Sequence, residues 1–344
     1  MAPSDRSLLN RSLASVVDRL LEGTIVGSFS AIGPAIRSRL EHWSPPDDMT
    51  GQVVIVTGGT SGIGRATARA LLELGAVVCL TSRNLERAET VAAELLADVG
   101  ASRQSMETAT GHDGGSAVAV GMELDTGSRE SIERFAAAVV ERFPSIDVLI
   151  NNAGALSDRY QTDETGMELT LSTHLVGPYR LTCLLKSQLV AGARVLFMSS
   201  GGMYSEPLDV ARLEMDPGDY RGTAAYARAK RAQVELAAHL GPLWAPDVIV
   251  HSVHPGWVDT PGVDNALPGF ATVMGPILRQ PDQGADTMVW LAAGGGADAE
   301  PGRFWHDRQT RGTAYRPGTA ADPEERRRLV EWLEEQTGLP VTGD

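Results

Sequence analysis

The sequence predicts an α/β fold: a doubly wound parallel sheet with helices on both of its faces. Three observations predict it. Short apolar runs without polar alternation recur from Gln52 onward, as strands buried on both faces require. Helical stretches separate most of these runs, and strand–helix alternation implies parallel strands joined by crossovers. A glycine-rich turn joins the first run to the first helical stretch.

Val53-Val54-Ile55-Val56 is the first strand, followed by a helical stretch through Leu74 and a second strand, Ala76 to Leu80. Further strands are expected at Val118–Leu124, Asp147–Ile150, Arg194–Met198 and Val248–Val253. Ala101 to Ser116 is rich in Gly, Ser and Thr and reads as a surface loop. A C-terminal helix is expected at about 322–336. No internal repeat is evident. The domain so defined spans 51–344, with a loop at about 261–280 over the substrate.

Residues 1–50 stand apart as a helical arm. Leu9, Leu13, Val16, Val17, Leu20 and Leu21 recur at helical spacing and mark one apolar face. A second short helix is expected from Ala35 to Trp43, and Pro45-Pro46 close the segment because proline lacks the amide hydrogen. The arm reads as a segment packed on the domain surface; a flap, a membrane-surface contact and a subunit contact are the alternatives.

Composition narrows the partners. The chain has 344 residues and a formal net charge of −14, which argues against a nucleic-acid or anionic membrane surface as its main partner. Cys79 and Cys183 have no C-x-x-C or metal-ligand spacing, and read as small buried apolar side chains in a reducing, cytoplasmic setting. No signal peptide is recognisable at the start. The uncharged stretch Gly23–Ile36 is far shorter than the ~20 apolar residues of a membrane span and contains Gly27, Gly33 and Pro34, so no transmembrane segment is expected. The sequence does not set the oligomeric state, and a homo-oligomer is compatible with it.

The turn Thr57-Gly58-Gly59-Thr60-Ser61-Gly62-Ile63-Gly64 lies between strand and helix. Glycines there let the backbone approach a pyrophosphate, and the helix start presents free amides and the positive end of its dipole. At the end of the second strand an acid would bind a ribose 2′-hydroxyl, whereas an arginine accommodates a 2′-phosphate. The residues are Thr81-Ser82-Arg83-Asn84, with no acid before Glu86. Ser82 and Arg83 therefore point to NADP(H), although a solvated arginine would look the same.

Further along come Asn151-Asn152-Ala153-Gly154 and Ser199-Ser200 after strands, then Tyr226-Ala227-Arg228-Ala229-Lys230 and Pro255-Gly256. With the T-G-x-x-x-G-x-G turn, these five motifs in this order resemble the short-chain dehydrogenase/reductase family, over about residues 50 to 310. The segments Ser200–Met203, His254–Val263 and Gly284–Thr287 resemble its dehydrogenase/reductase member twelve branch. The resemblance implies a Rossmann-like fold and hydride transfer between a nicotinamide cofactor and a carbonyl or alcohol. It implies cofactor contacts from Gly58, Thr60, Ser61, Gly62, Ile63 and Gly64, from Asp125 near the adenine, and from Asn152, Ala153 and Gly154. Pro255, Gly256 and Thr260 would adjoin the nicotinamide, and Lys230 would hold its ribose beside Tyr226.

The chemistry is readable from the residues as well. Tyr226 and Lys230, four apart in an Ala-rich helical stretch, project from one face. A phenol of pKa ~10 is a poor base at neutral pH, and a neighbouring ammonium is expected to lower that value. Ser200 can hydrogen-bond a substrate oxygen as charge builds on it. One position departs from the family: where an Asn is usual, this chain has His174-Leu175-Val176-Gly177. In the family that Asn helps hold a water linking the lysine to solvent. His174 carries a donor and an acceptor and can replace it in proton relay, or it is a packed helix histidine. His251 and His254 belong to no metal-site pattern, and no metal is expected.

After Thr260 come Val263, Leu267, Phe270, Val273, Ile277 and Leu278. These suit a lipophilic small-molecule substrate, or core packing. The catalytic set Ser200, Tyr226, Lys230 and His174 favours an NADP(H)-dependent oxidoreductase over the alternative, a dinucleotide-binding sensor or scaffold with little turnover.

Overall fold

The computed structural model describes residues 16–110, 117–260, 274–315 and 318–342. The described residues open with the helical stretch 16–22 (α1), then α2 (Ile25–Phe29) and α3 (Ile32–Leu40). The α/β part comprises β1 (Val53–Val56), α4 (Gly62–Glu73), β2 (Val77–Ser82), α5 (Leu85–Thr110), β3 (Val118–Glu123), α6 (Arg129–Arg142) and β4 (Ile146–Asn151). Next is α7, a helix from Leu169 to Leu185 whose residues Ser172–Val176 form a π turn. The chain continues through β5 (Leu189–Met198), α8 (Gly222–Trp244), β6 (Val248–Val253), α9 (Pro281–Ala292), β7 (Phe304–His306), β8 (Gln309–Thr310) and α10 (Pro323–Thr337).

The strands form one sheet in the order β3-β2-β1-β4-β5-β6-β7-β8. Every neighbouring pair is parallel except β7–β8. Strand order reverses between β1 and β4, which opens a crevice at their C-terminal ends. Alternation along each strand divides the core. Val54, Val56, Val78, Leu80, Val148 and Ile150 pack under α4, α5 and α9. Ile55, Cys79, Leu149, Val195 and Phe197 pack under α6, α7, α8 and α10. The fold is the expected doubly wound, Rossmann-like α/β sheet.

Four local expectations are corrected. Residues 101–110 continue α5 as helix; Ala, Arg, Gln, Met and Glu are good helix formers, and the glycines that suggested a loop begin only at Gly111. The second arm helix starts and ends three residues earlier than expected, at Ile32 and Leu40. The hairpin of β7 and β8 was not foreseen, because strands of three and two residues carry no periodicity. Cys183 is only partly buried at the margin of the core, unlike Cys79. The C-terminal helix begins where Asp322 caps the Glu324 amide at 2.9 Å, with Pro323 in the first turn, and stops at left-handed Gly338. Among the described residues no helix is long and apolar enough to cross a membrane.

Only part of the expected apolar face of α1 turns toward the domain, where Val17 and Leu21 are partly buried. Leu20 is 69% exposed and Val16 44%, while Asp18 and Glu22 face inward to Arg37 and Arg311. Leu9 and Leu13 lie outside the described residues. Arg37, 1% exposed, also pairs with Asp307 at 2.6 Å, and Asp307 takes Arg279 at 2.6 and 3.0 Å. Arg279 donates further to the carbonyls of Ser28 (2.7 Å), Phe29 (3.0 Å) and Pro255 (3.2 Å). Burial alone would raise the Asp307 carboxyl, but His306, Arg279 and Arg37 hold it well below the ordinary carboxylate range.

The network predicts a stability loss. Asp307→Asn leaves two buried guanidinium groups short of their counter-charge and should cost about 3–5 kcal/mol in urea unfolding at pH 7. A group whose folded pKa is depressed contributes fully above its unfolded value and loses that contribution as pH falls toward the folded one. The difference between wild type and Asp307→Asn should therefore be complete above about pH 4 and shrink below it. A loss under about 1 kcal/mol, the range of an exposed pair, would mean that the network does not hold the arm.

Candidate active site

The glycine-rich turn leaves β1 at Thr57 and enters α4 at Gly62. Gly58 has φ +67, a conformation that favours glycine, and a Cβ there would lie 2.9 Å from the Ala153 Cα. A Cβ on Gly64 would meet Asn152 and the Gly58 carbonyl. Ser61, at the N-cap of α4, makes no side-chain cap hydrogen bond. The cradle has the shape and polarity that a dinucleotide pyrophosphate needs. Thr60 lies in the same turn and Ile63 in the first turn of α4.

Across the crevice, the end of β4 is bonded to the end of β1. Thr57 Oγ1 accepts the amides of Asn152 and Ala153 at 2.9 Å each, and Asn152 Nδ2 donates to the Thr57 carbonyl at 2.9 Å. Thr260, from the segment after β6, lies against Gly62, whose Cβ would be 3.2 Å from the threonine methyl. Ser82 ends β2, Arg83 follows it, exposed, and Asp125 accepts the Gly127 amide at 2.9 Å in the turn after β3. These three lie at strand ends apart from the catalytic candidates. Gly256 has φ +84, and a Cβ on it would collide with the Arg279 guanidinium.

The structure brings Ser200, Tyr226, Lys230 and His174 together. Ser200 leaves β5 in an extended conformation; its Oγ accepts the Gly202 amide at 3.2 Å and is hydrogen-bonded to Tyr226. Tyr226 and Lys230 share one face of α8, with Nζ 5.6 Å from the phenol ring centroid. The His174 ring stands edge-on to Tyr226 at 5.0 Å and 87°. It fits because residue 154 is glycine: a Cβ there would overlap the imidazole.

Electrostatics in this group differ from expectation. Lys230 was expected to lower the Tyr226 pKa; instead burial raises it, and the Ser200 hydrogen bond offsets this only in part. The reason is geometric. Lys230 Nζ is spent on the Met198 carbonyl at 2.7 Å and Gln233 Oε1 at 2.9 Å, and burial brings its own pKa down to about 7. His174 is pushed down to about 3, by burial first and then by the Lys230 charge. Its Nε2 lies 2.7 Å from the Ala155 carbonyl. A carbonyl only accepts, so Nε2 carries the hydrogen and Nδ1 presents a lone pair. That buried Nδ1 has no hydrogen-bond partner among the described residues.

Gln233 escaped the sequence reading. Its signal was its place three residues after Lys230, on the same helix face, and it is 1% exposed. Surface cavities of about 420 and 620 Å³ elsewhere are not lined by any of the four catalytic candidates. Converging polar groups, rather than cavity size, locate the site. Such a group can hold a carbonyl oxygen between a hydroxyl and a neutral phenol and pass it a proton.

Comparison with known proteins agrees. Residues 52–211 match the family model for short chain dehydrogenases. Human dehydrogenase/reductase SDR family member 12 is 35% identical over 337 residues, covering 95% of this chain and 98% of that protein. Mouse polyprenol dehydrogenase is 31% identical, covering 92% of each. A crystal structure of a Mycobacterium paratuberculosis protein superimposes with a TM-score of 0.67 at 23% identity, over 88% of this chain and 99% of the other. The chain belongs to the short-chain dehydrogenase/reductase family of oxidoreductases.

Proposed function

We propose that this protein is an NADP(H)-dependent reductase or dehydrogenase that interconverts a lipophilic carbonyl compound and its alcohol. One observation carries the reading: Ser200, Tyr226 and Lys230 converge at the C-terminal edge of the sheet, on the far side of the crevice from the glycine cradle. A sensor or scaffold would have no use for that set.

Gly58, Thr60, Ser61, Gly62, Ile63 and Gly64 would hold the pyrophosphate, Asp125 the adenosine end, and Asn152, Ala153 and Gly154 the middle. Pro255, Gly256 and Thr260 would flank the nicotinamide, which supplies or accepts the hydride when bound. Arg83, exposed, and Ser82, partly buried at the end of β2, suit a 2′-phosphate. In reduction, Ser200 Oγ orients the carbonyl oxygen and neutral Tyr226 delivers its proton. A raised phenol pKa keeps that proton in place until charge develops on the oxygen. Lys230 lies beneath Tyr226 and would bind the ribose. His174, neutral and with a bare Nδ1, would carry the proton resupply that reaches Tyr226 past Lys230.

The lipophilic preference draws on the relative named polyprenol dehydrogenase and on the apolar content of the segment after Thr260. Val263, Leu267, Phe270 and Val273, and with them most of the expected loop at 261–280, lie outside the described residues. Ile277 is partly buried and Leu278 buried.

Three measurements test this reading. Tyr226→Phe should abolish turnover of a carbonyl panel that includes all-trans-retinaldehyde and 9,10-phenanthrenequinone, while fluorescence titration finds NADPH binding nearly intact. More than a small residual activity would sink the mechanism.

Arg83→Ala should cost about 1.5–3 kcal/mol of NADPH binding and almost nothing for NADH. Equal losses for the two cofactors would show that Arg83 does not meet a 2′-phosphate.

His174→Asn should stay active, since it keeps a donor and an acceptor at the site. His174→Leu removes both and should slow turnover without weakening NADPH binding, with thermal stability followed alongside. A well-folded Leu variant at wild-type rate would make His174 a packing residue.

A further inference from the structure

The arm reaches the back of the site through one side chain. Phe29 is 5% exposed and ends α2. Its ring stands edge-on to His254 at 4.4 Å, to His306 at 5.4 Å and to Trp257 at 5.9 Å, and lies parallel to Tyr204 at 6.2 Å. Its edge also closes on the backbone beside Ser200: a Cβ built on Gly201 would lie 2.9 Å from Phe29 Cε2 and 3.1 Å from the His254 ring. Gly201 opens the short 3-10 turn Gly201–Ser205, whose cap is Ser200 itself. The Phe29 carbonyl meanwhile accepts the Trp257 amide at 2.7 Å and Arg279 Nε at 3.0 Å. One residue of the arm thus touches both the turn that carries Ser200 and the loop after Pro255-Gly256.

We propose that Phe29 is a positioning residue for the reaction, its ring backing the Gly201 turn so that Ser200 Oγ stays aimed at Tyr226 and the substrate oxygen. On one side the 3-10 turn packs along α8, with Gly202 near Ala227 and Tyr226 and with Met203 and Tyr204 buried beside Val234; its cap bond is the 3.2 Å contact from the Gly202 amide to Ser200 Oγ itself. Its rear contacts at Gly201 are two aromatic rings, Phe29 and His254. Smaller side chains at residue 29 give the turn room to retreat, and a displacement of about 1 Å at a reacting group is enough to cost up to ~100-fold in rate. The arm is in this sense part of the catalytic centre, although it contributes no atom to the chemistry. The inference rests on Ser200 acting on the substrate oxygen.

The test uses the full chain, NADPH, and 9,10-phenanthrenequinone or retinaldehyde, whichever is reduced faster. Phe29→Leu should keep the fold and lower kcat about fivefold, and Phe29→Ala about tenfold or more. NADPH affinity should stay within about twofold, because the cradle is untouched. The decisive comparison is the cycle with Ser200→Ala: if Phe29 acts through Ser200, Phe29→Leu should have no further effect in that background. A kcat for Phe29→Leu within about twofold of wild type overturns the proposal, as does an equal loss with and without Ser200. Should Phe29→Ala not fold, the Leu variant and its cycle decide alone. Wild-type activity in Ser200→Ala would instead refute the role of Ser200, and the proposal with it.

Discussion

A guanidinium removed from water has to find acceptors for its donors, and the cost of failing is several kcal/mol. Arg279 finds them in three separate parts of the chain: the arm at Ser28–Ser30, the loop at Pro255 and the carboxylate of Asp307. Its main chain bonds Trp257 and Asp259, which continues the contact along the loop after β6. Arg37 approaches Asp307 from the other side and brings Asp18 and Glu22. Positions distant in sequence become neighbours because no one of them can satisfy its own charge. Gly256 is part of the same constraint, since any side chain there would displace the guanidinium.

The catalytic group follows the opposite electrostatic rule. Lys230 and His174 are buried without a carboxylate partner among the described residues, and burial works against the charged form of each. A lysine near pKa 7 and a histidine that stays neutral make a site poor in standing charge. Tyr226 then holds its proton, and charge appears mainly when a substrate oxygen develops it. Hydroxyls and amides fixed in place stabilise such charge without reorganising. The buried ion pairs stand elsewhere, in the arm network and at Arg231–Glu235 on α8.

Much of the fold was legible because its strands are buried on both faces and its turns are chemically marked. Val53–Val56 and Val248–Val253 coincide with β1 and β6, since short runs rich in Val and Ile have few other uses. The β7–β8 hairpin was silent: Phe304–His306 is too short for a pattern, and it is held by pairing with β6 rather than by local preference. The arm helix, with Val16 and Leu20 exposed, departed from its pattern for a related reason. Hydrophobic periodicity marks the apolar face, but Arg37 and Arg311 draw the polar face inward.

The sequence by itself determined the six parallel strands β1 to β6, the crossover helices, the glycine cradle and the identity of the residues that meet at its far edge, because each is marked by neighbours within a few positions. Only the tertiary structure decided how those residues behave together. Lys230 turns to Met198 and Gln233, His174 packs into the space left by Gly154, and Phe29 closes behind Ser200 from more than 170 residues away. The physical reason is that desolvation and close packing belong to an environment, and that environment exists only once distant segments have enclosed it.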